Sequence, residues 1–156
     1  PVRAVEFLTA QILSRLTLIL VVNVAVFAAS HSIIHFTMLG SYWTLFLILL
    51  VGAFCLISMS LIVASRTASE ELAGGLLNLL SFPMMFLSGV WFSLDGSPIW
   101  IQRFAKLFPL THMIDAARAV MTEGATLTEV APQIGGLALL SLVFLAVGAV
   151  LFRWDS

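Results

Sequence analysis

Four stretches of the sequence are long and apolar enough to cross a lipid bilayer, and this pattern limits the possible folds more than any other feature. A membrane-spanning helix needs about 20 mostly apolar residues. The four stretches together hold more than half of the 156 residues. The predicted spans are residues 16–34, 42–65, 72–92 and 132–152. The sequence therefore predicts an all-α membrane protein with a single transmembrane domain over residues 1–156.

The composition excludes several other classes of protein. Hydrophobic residues make up 61% of the chain and charged residues only 10%, whereas a soluble domain has about 45–50% and about 25%. A soluble globule and a disordered chain are therefore excluded. The formal net charge is −1, so the chain lacks the basic surface that a nucleic acid would need. The one cysteine, Cys55, stands among apolar residues and is predicted to be a small buried side chain.

The short segments before the first and third spans predict two local structures. Residues 1–15 are weakly amphipathic at helical spacing, which predicts a short cytoplasmic helix before the first span. Thr67 and Glu70 have the spacing of a capping box, so Thr67 is predicted to cap the third helix. Glu70 and Glu71 also suit the positive N-terminal end of that helix.

The segment 93–131 is predicted to be a long external loop with two short amphipathic helices, which lie in the interface or re-enter the membrane. Ser97 and Pro98 predict the start of the first helix, with serine as the cap and proline at the first helical position. Pro109 is predicted to end that helix, and a second helix is predicted to begin near Thr111.

The distribution of charge predicts which side of the membrane each loop occupies. Four crossings put both termini and the turn at Arg66 on one side, and that side carries one more cation than the other. The positive-inside rule therefore predicts that both termini are cytoplasmic. The tryptophans fall at the predicted span ends or in the long loop, as expected for an interfacial aromatic belt; they are Trp43, Trp91, Trp100 and Trp154.

Polar residues inside the spans have two interpretations. Asn23 and Asn78 could form hydrogen bonds between helices, or they could line a path for a substrate. The substrate-path candidates are Asn23, Asn78, Ser81 and Met84.

The sequence contains no motif for nucleotide binding or for zinc hydrolysis. His31 and His35 are four residues apart on one helical face, but a metal or haem would need further ligands, and His112 is the only other histidine. Packing or hydrogen bonding explains the pair better, so we expect no cofactor on this chain.

An ordered series of motifs resembles the C-terminal part of ABC-2 type transporter permeases, the membrane subunits of ATP-driven exporters. It begins with Asn78–Phe92 (NLLSFPMMFLSGVWF), continues with Pro98–Trp100 (PIW) and Phe108–Arg118 (FPLTHMIDAAR), and ends with the last hydrophobic span. The opening Pro1–Leu8 (PVRAVEFL) is similar to the cytoplasmic segment before the third helix of such permeases. The resemblance covers nearly the whole chain and implies spans three to six of a six-helix subunit.

The resemblance also implies partners and roles. It implies a permease homodimer in the inner membrane, coupled to a separate ATPase subunit that holds ATP and Mg. Candidate contacts with that ATPase are Arg3, Glu6, Arg66 and Thr67. The external helices are expected to form a lid whose second helix is fixed by an Asp115–Arg118 pair. The residues of this lid and its motif are Pro83, Ser88, Gly89, Pro109, Thr111, Asp115 and Arg118.

The resemblance thus implies a permease that forms the substrate translocation path and works by alternating access. Two other hypotheses stay open at this point. One is a non-transport four-helix membrane scaffold or assembly protein, and the other is a membrane enzyme that uses the histidines.

Overall fold

A computed structural model describes residues 3–151, which form six α-helices and no β-strand within that range. The helices are α1 (Ala4–Ile34), α2 (Tyr42–Ser65), α3 (Glu70–Leu87), α4 (Ile99–Ala105), α5 (Pro109–Glu123) and α6 (Leu127–Leu151). The all-α fold class is therefore confirmed. Trp154, one of the predicted belt residues, lies outside the described residues.

Three of the helices are long and apolar enough to cross a membrane, namely α2, α6 and residues Val5–Ile34 of α1. The fourth predicted span corresponds to α3, which has 18 residues and begins with Glu70 and Glu71. Two carboxylates in so short a helix lower its hydropathy, so α3 does not qualify by length and composition. The predicted division into four spans and two amphipathic helices is therefore not confirmed.

The first helix is longer than the sequence predicts. The proposed amphipathic segment 1–15 and the first span are joined in one helix of 31 residues, which begins at Ala4. No proline or glycine lies between them, and the side chain of Arg15 is exposed, so nothing interrupts the backbone hydrogen bonds. At its N-terminus, the carboxylate of Glu6 accepts a 3.1 Å hydrogen bond from the backbone N–H of Arg3.

The predicted cap of the third helix is wrong by two residues. Ser69 is the N-cap of α3, and its hydroxyl accepts a hydrogen bond from Leu72 N at 3.2 Å. Thr67 instead donates to the carbonyl of Val63 at 3.2 Å, so its hydroxyl belongs to the end of α2. An N-cap hydroxyl accepts a hydrogen bond from the backbone N–H two or three residues later, and Ser69, directly before the first helical residue, meets that condition.

The starts of α4 and α5 are also shifted. Pro98 is the N-cap of α4, and no side chain caps this helix, so the predicted capping role of Ser97 is wrong. Gln102 Nε2 donates to the carbonyl of Ser97 at 3.0 Å instead. Pro109 is the first residue of α5 rather than the end of the preceding helix. Proline is well suited there because the first N–H of a helix has no partner within the helix.

Helix α2 lies at the centre of the bundle, packs against α1, α3, α5 and α6, and forms its largest interface with α6. Its buried residues include Gly52, Ala53, Cys55 and Ser58, and such small side chains let neighbouring helices approach closely. The hydroxyl of Ser58 donates to Phe54 O at 2.7 Å within α2. Close packing therefore holds the α2–α6 seam without a hydrogen bond from this hydroxyl.

The bundle has two ends, which we call the loop end and the Ser65 end. The Ser65 end is where α2 finishes at Ser65. The loop end contains residues 35–41, where Leu39 N donates to Met121 O near the end of α5 at 3.3 Å. Helix α6 starts there and runs back, since Gly148 lies beside Ile62 near the end of α2. Helix α3 leaves the Ser65 end. The hairpin formed by α4 and α5 follows α3, and its helix α5 packs against α2, α6 and α3.

A buried apolar cluster fastens α5 to the loop end. Its residues come from α2, α5, the following turn and α6, and they are Leu45, Ile48, Ala116, Val120, Ala125 and Val130. Gly40 lies so close to Val120 that a Cβ there would meet the Val120 carbonyl oxygen and would be 2.7 Å from its Cγ1. The residue is a glycine because nothing larger fits against this turn of α5.

Candidate functional site

A polar cavity of about 210 Å³ lies between the end of α3 and the α4–α5 hairpin. Residues from four parts of the chain meet there: the two residues after α3, the loop before α4, α4 with the residue that follows it, and the first three turns of α5. Its lining residues are Ser88, Gly89, Ser93, Leu94, Asp95, Gln102, Ala105, Lys106, Thr111, Asp115 and Arg118. The structure thus brings together five of the seven residues that were predicted as the lid and its motif.

Arg118 joins the two sides of this cavity. Its Nη2 donates a 3.0 Å hydrogen bond to the carbonyl of Gly89, 29 residues away in the sequence. The last carbonyls of a helix have no partner within it and carry a partial negative charge, so a guanidinium is well suited to the end of α3. Gly89 has a φ of +82°, a left-handed conformation that glycine adopts without steric cost.

The loop before α4 is held in shape by its own hydrogen bonds. The hydroxyl of Ser93 donates to Asp95 Oδ2 at 2.9 Å. The side-chain amide of Gln102 donates to the carbonyls of Leu94 and Ser97 at 3.3 and 3.0 Å. One wall of the cavity is therefore braced by α4.

Asp115 faces several cations. Its side chain is exposed, but partial desolvation by the surrounding residues raises the pKa of this carboxyl above its usual value, and the nearby charges of Arg118, His112 and Lys106 partly oppose that change. His112 is itself fixed, because its Nε2 lies 2.6 Å from the Lys106 carbonyl.

The predicted Asp115–Arg118 pair does not take the form of a direct ion pair. No nitrogen of Arg118 lies within 4.0 Å of an Asp115 oxygen, since the guanidinium is directed to the carbonyl of Gly89. Arg118 therefore fastens α5 to α3 directly, and its effect on Asp115 is through its charge.

Thr111 stands out within the cavity because its hydroxyl is buried and has no hydrogen-bond partner. The residue is only 4% exposed. It lies in the first turn of α5, which no side chain caps. A buried polar atom without a partner costs free energy, so this hydroxyl is a site where a bound group would be favourable.

The predicted substrate-path residues do not converge. Asn23, on α1, borders an apolar groove of about 600 Å³ between α1 and α2, and its amide donates to Ile19 O at 2.8 Å. Asn78 and Ser81 are exposed on α3, and Met84 is buried there. Helix α3 packs against α2 and α5, so these three residues lie away from the groove.

The candidate contacts with an ATPase share one end of the molecule. Arg3, Glu6 and Arg66 are all exposed. The first turns of α1 border a groove shared with Leu61 of α2 and Gly148 of α6, which places them at the Ser65 end. Thr67 is only half-buried and is engaged with the end of α2.

The histidines do not assemble a metal site in the part of the chain that the structure describes, where no group of three or more potential ligands occurs. His31 packs the edge of its ring against Phe36 at a centroid distance of 5.9 Å. His35 ends α1 in a left-handed conformation with φ 55°.

Comparison with known proteins decides the family. The sequence model of the ABC-2 type transporter family matches residues 1–122, which contain α1 to α4 and nearly all of α5. The chain belongs to this family. It is accordingly a multi-pass membrane protein of a class that forms the membrane part of transporters.

Named relatives agree with this assignment. Nodulation protein J of Bradyrhizobium diazoefficiens is 30% identical over 147 residues, covering 86% of this chain and 55% of the relative. Nodulation protein J of Rhizobium leguminosarum bv. viciae is 32% identical over 96 residues, covering 62% and 37%. ABC transporter G family member 20 of Dictyostelium discoideum is 31% identical over 113 residues, covering 72% and 16%. The chain thus spans about half or less of the relatives that it matches, and no solved structure matches it.

Several residues of the cavity of this ABC-2 chain were missed by the sequence analysis. They are Ser93, Asp95, Gln102 and Lys106. The available signal was their polarity, since Asp95 and Lys106 are two of the few charged residues in this part of the sequence. No local pattern in the sequence indicates that the end of α3 lies beside them.

Proposed function

We propose that this chain is part of the permease subunit of an ABC exporter, where it forms the translocation path and works by alternating access. A separate ATPase subunit supplies the energy and holds ATP and Mg, and the permease acts as a homodimer in the inner membrane with cytoplasmic termini. The observation that carries the proposal is the match of the ABC-2 family model to residues 1–122.

The course of α3 supports a fourth crossing. Helix α3 begins at the Ser65 end, and Gly89, just beyond its last turn, receives the hydrogen bond from Arg118. Arg118 lies one turn from Met121, whose carbonyl accepts a hydrogen bond from Leu39 N at the loop end. The helix therefore connects the two ends of the bundle, as α2 and α6 do. With the two glutamates at the cytoplasmic surface, the remaining apolar residues would cross the bilayer.

The packing of α5 supports a hairpin that re-enters the membrane. A Cβ on Gly52 would meet Met113 Sδ at 2.5 Å, so this part of α5 lies directly against α2. Gly52 is about 15 Å along the axis from the start of α2, at 1.5 Å per residue. That distance is half of the roughly 30 Å hydrocarbon thickness. The hairpin would thus enter from the loop end and act as an external lid.

The groove between α1 and α2 suits an amphiphilic cargo. Its lining is apolar apart from a few groups, including Asn23 and His31. A few polar groups in an apolar wall would orient a molecule without binding it tightly, which a transporter requires.

The Ser65 end would contact the ATPase. Charges at a partner surface set register and specificity, and Arg3, Glu6 and Arg66 are the exposed charges there. The test is affinity purification of the tagged full-length permease from its own membranes, followed by measurement of the ATPase recovered. We expect an ABC ATPase, and we expect Arg3→Gln with Glu6→Gln to reduce its recovery several-fold.

The double variant is designed to leave the fold intact. Gln at position 6 keeps an oxygen that can accept the hydrogen bond from Arg3 N. The matched control is Arg103→Gln, which removes an exposed charge from α4 in the lid. Unchanged recovery in the double variant would reject this contact surface. Failure to recover any ATPase with the unmodified permease would reject the exporter and favour a membrane scaffold.

A further inference from the structure

The polar cavity beside the hairpin contains charges of both signs. Lys106 and Arg118 contribute cations, and Asp95 and Asp115 contribute carboxylates. A simple anion would be attracted by the first pair and repelled by the second. A ligand with a negative and a positive group would satisfy both, and a cavity of about 210 Å³ has room for a small headgroup.

One side of the cavity has the donors that a phosphate requires. The first turn of α5 has no side-chain cap, and the N–H groups at such a terminus favour anions. The Thr111 hydroxyl, buried without a partner, lies in this turn and can donate one more hydrogen bond. Lys106 and Arg118 line the same space, and they would neutralise the phosphate charge.

A track of aromatic rings leads away from the cavity along α3. Phe82 stacks on Phe86 at a centroid distance of 6.5 Å, and Phe86 stacks on Phe92 at 6.3 Å. All three rings are exposed. Phe92 directly precedes Ser93, which lines the cavity. A polar pocket continuous with an exposed apolar track matches the shape of an amphiphile rather than that of a soluble ion.

We propose that this cavity binds the headgroup of a bilayer phospholipid that carries both a phosphate and a primary ammonium group, with an acyl chain lying along Phe82, Phe86 and Phe92. The phosphate contacts Thr111, Lys106 and Arg118, and the ammonium group contacts the carboxylates. The lipid fills the space between α3 and the hairpin. This binding does not require transport, so its test is independent of the proposed function.

The experiment is a lipid titration of the purified full-length permease in detergent, with bound lipid counted by native mass spectrometry. The probes are dioleoyl phosphatidylethanolamine, phosphatidylcholine and phosphatidylglycerol, together with free phosphoethanolamine. We expect phosphatidylethanolamine to bind about tenfold more tightly than the other two lipids, since a hydrogen bond to a charged group is worth that much. Phosphatidylcholine keeps the charge but has no N–H donor, and phosphatidylglycerol has no cation.

Two variants and one control connect the binding to this cavity. Thr111→Val and Lys106→Gln should each weaken phosphatidylethanolamine binding about tenfold. Thr122→Val is the matched control, because this threonine is on the same helix, is exposed and bonds only to Arg118 O within α5. Thr111→Val should not lower the thermal stability of the lipid-free protein, because the hydroxyl that it removes has no partner.

Three results would overturn the proposal. Equal binding of the three lipids would show that the cavity does not discriminate between their headgroups. Unchanged binding in Thr111→Val and Lys106→Gln would place the lipid elsewhere. Free phosphoethanolamine binding as tightly as the lipid would identify a soluble phosphate ester as the ligand and would exclude a role for the aromatic track.

Discussion

Replacing Gly40 by alanine should release α5 from the loop end of the bundle. The added Cβ would be 2.7 Å from Val120 Cγ1 and would also meet the Val120 carbonyl oxygen. Carbon atoms in contact normally lie about 3.5–4.0 Å apart, so the loop or α5 must move by about 1 Å. Part of the obstacle is backbone, which cannot rotate away as a side chain would. Overpacking of this kind typically costs about 1–3 kcal/mol.

Gly74→Ala is the matched control with the opposite expected sign. Gly74 lies in α3, and a Cβ there would have no neighbour within 4 Å. Alanine is favoured over glycine inside a helix by about 1 kcal/mol, so this variant should be slightly more stable. The two substitutions add the same methyl group, and the free energies of unfolding of the two variants should differ by about 2–4 kcal/mol. A chain of this size shifts its Tm by about 2–4 °C per kcal/mol, which gives a separation of several degrees.

Cys55 supplies the assay. It is the only cysteine in the chain and is fully buried in α2. A thiol-reactive fluorescent dye added during heating of the detergent-solubilised protein will therefore report when α2 loses its neighbours. We expect Cys55 to become reactive at a lower temperature in Gly40→Ala than in the unmodified protein. In Gly74→Ala we expect it to become reactive at the same temperature or a higher one. If Gly40→Ala unfolds at the unmodified temperature or higher, the close approach of Gly40 and Val120 does not hold the hairpin.

Three further predictions concern the cap of α3 and the cavity. Ser69→Ala should cost about 1 kcal/mol of stability in the same assay, whereas Thr67→Ala should cost less, because only Ser69 caps α3. The reverse order would restore the sequence-based assignment. Arg118→Ala should increase hydrogen exchange in residues 88–98, since the carbonyl of Gly89 loses its donor. Unchanged exchange would show that this bond does not fasten α3. For Asp115, a raised pKa in the folded protein means that its contribution to stability is present below the unfolded pKa and is lost as pH rises through the folded pKa. The Tm of the unmodified protein minus the Tm of Asp115→Asn should therefore fall as the pH rises from the unfolded pKa through the folded pKa. A difference that stays constant with pH would contradict the raised pKa.

The sequence predicted some elements well because local signals agreed. The second span was predicted at 42–65, and α2 has the same bounds. Ser41 caps it through Trp43 N at 3.2 Å, no charge interrupts it, and Arg66 follows it. Where signals were weaker, boundaries moved. Helix α6 begins at Leu127, five residues before the predicted start, because Pro132 removes only one backbone hydrogen bond near the start of the helix.

The candidate site was harder to predict because its parts are distant in the sequence. Helical periodicity relates residues three or four apart, so it indicated a pair between Asp115 and Arg118. The contact that forms instead joins Arg118 to Gly89, and it depends on how α3 meets α5. Thr111 was assigned from the family resemblance, yet its unpaired hydroxyl could be recognised only once its neighbours were known.

The central position of α2 has a consequence for the biosynthesis of this protein. Its main partner, α6, is synthesised only after α3, α4 and α5, when α2 has already left the ribosome. At about 5–20 residues per second, the small-residue seam of α2 must wait for roughly 4–17 seconds before α6 arrives. During that interval the seam is open to lipid or to an insertase, so the cell's insertion machinery has time to hold α2 beside the translocon until the bundle closes.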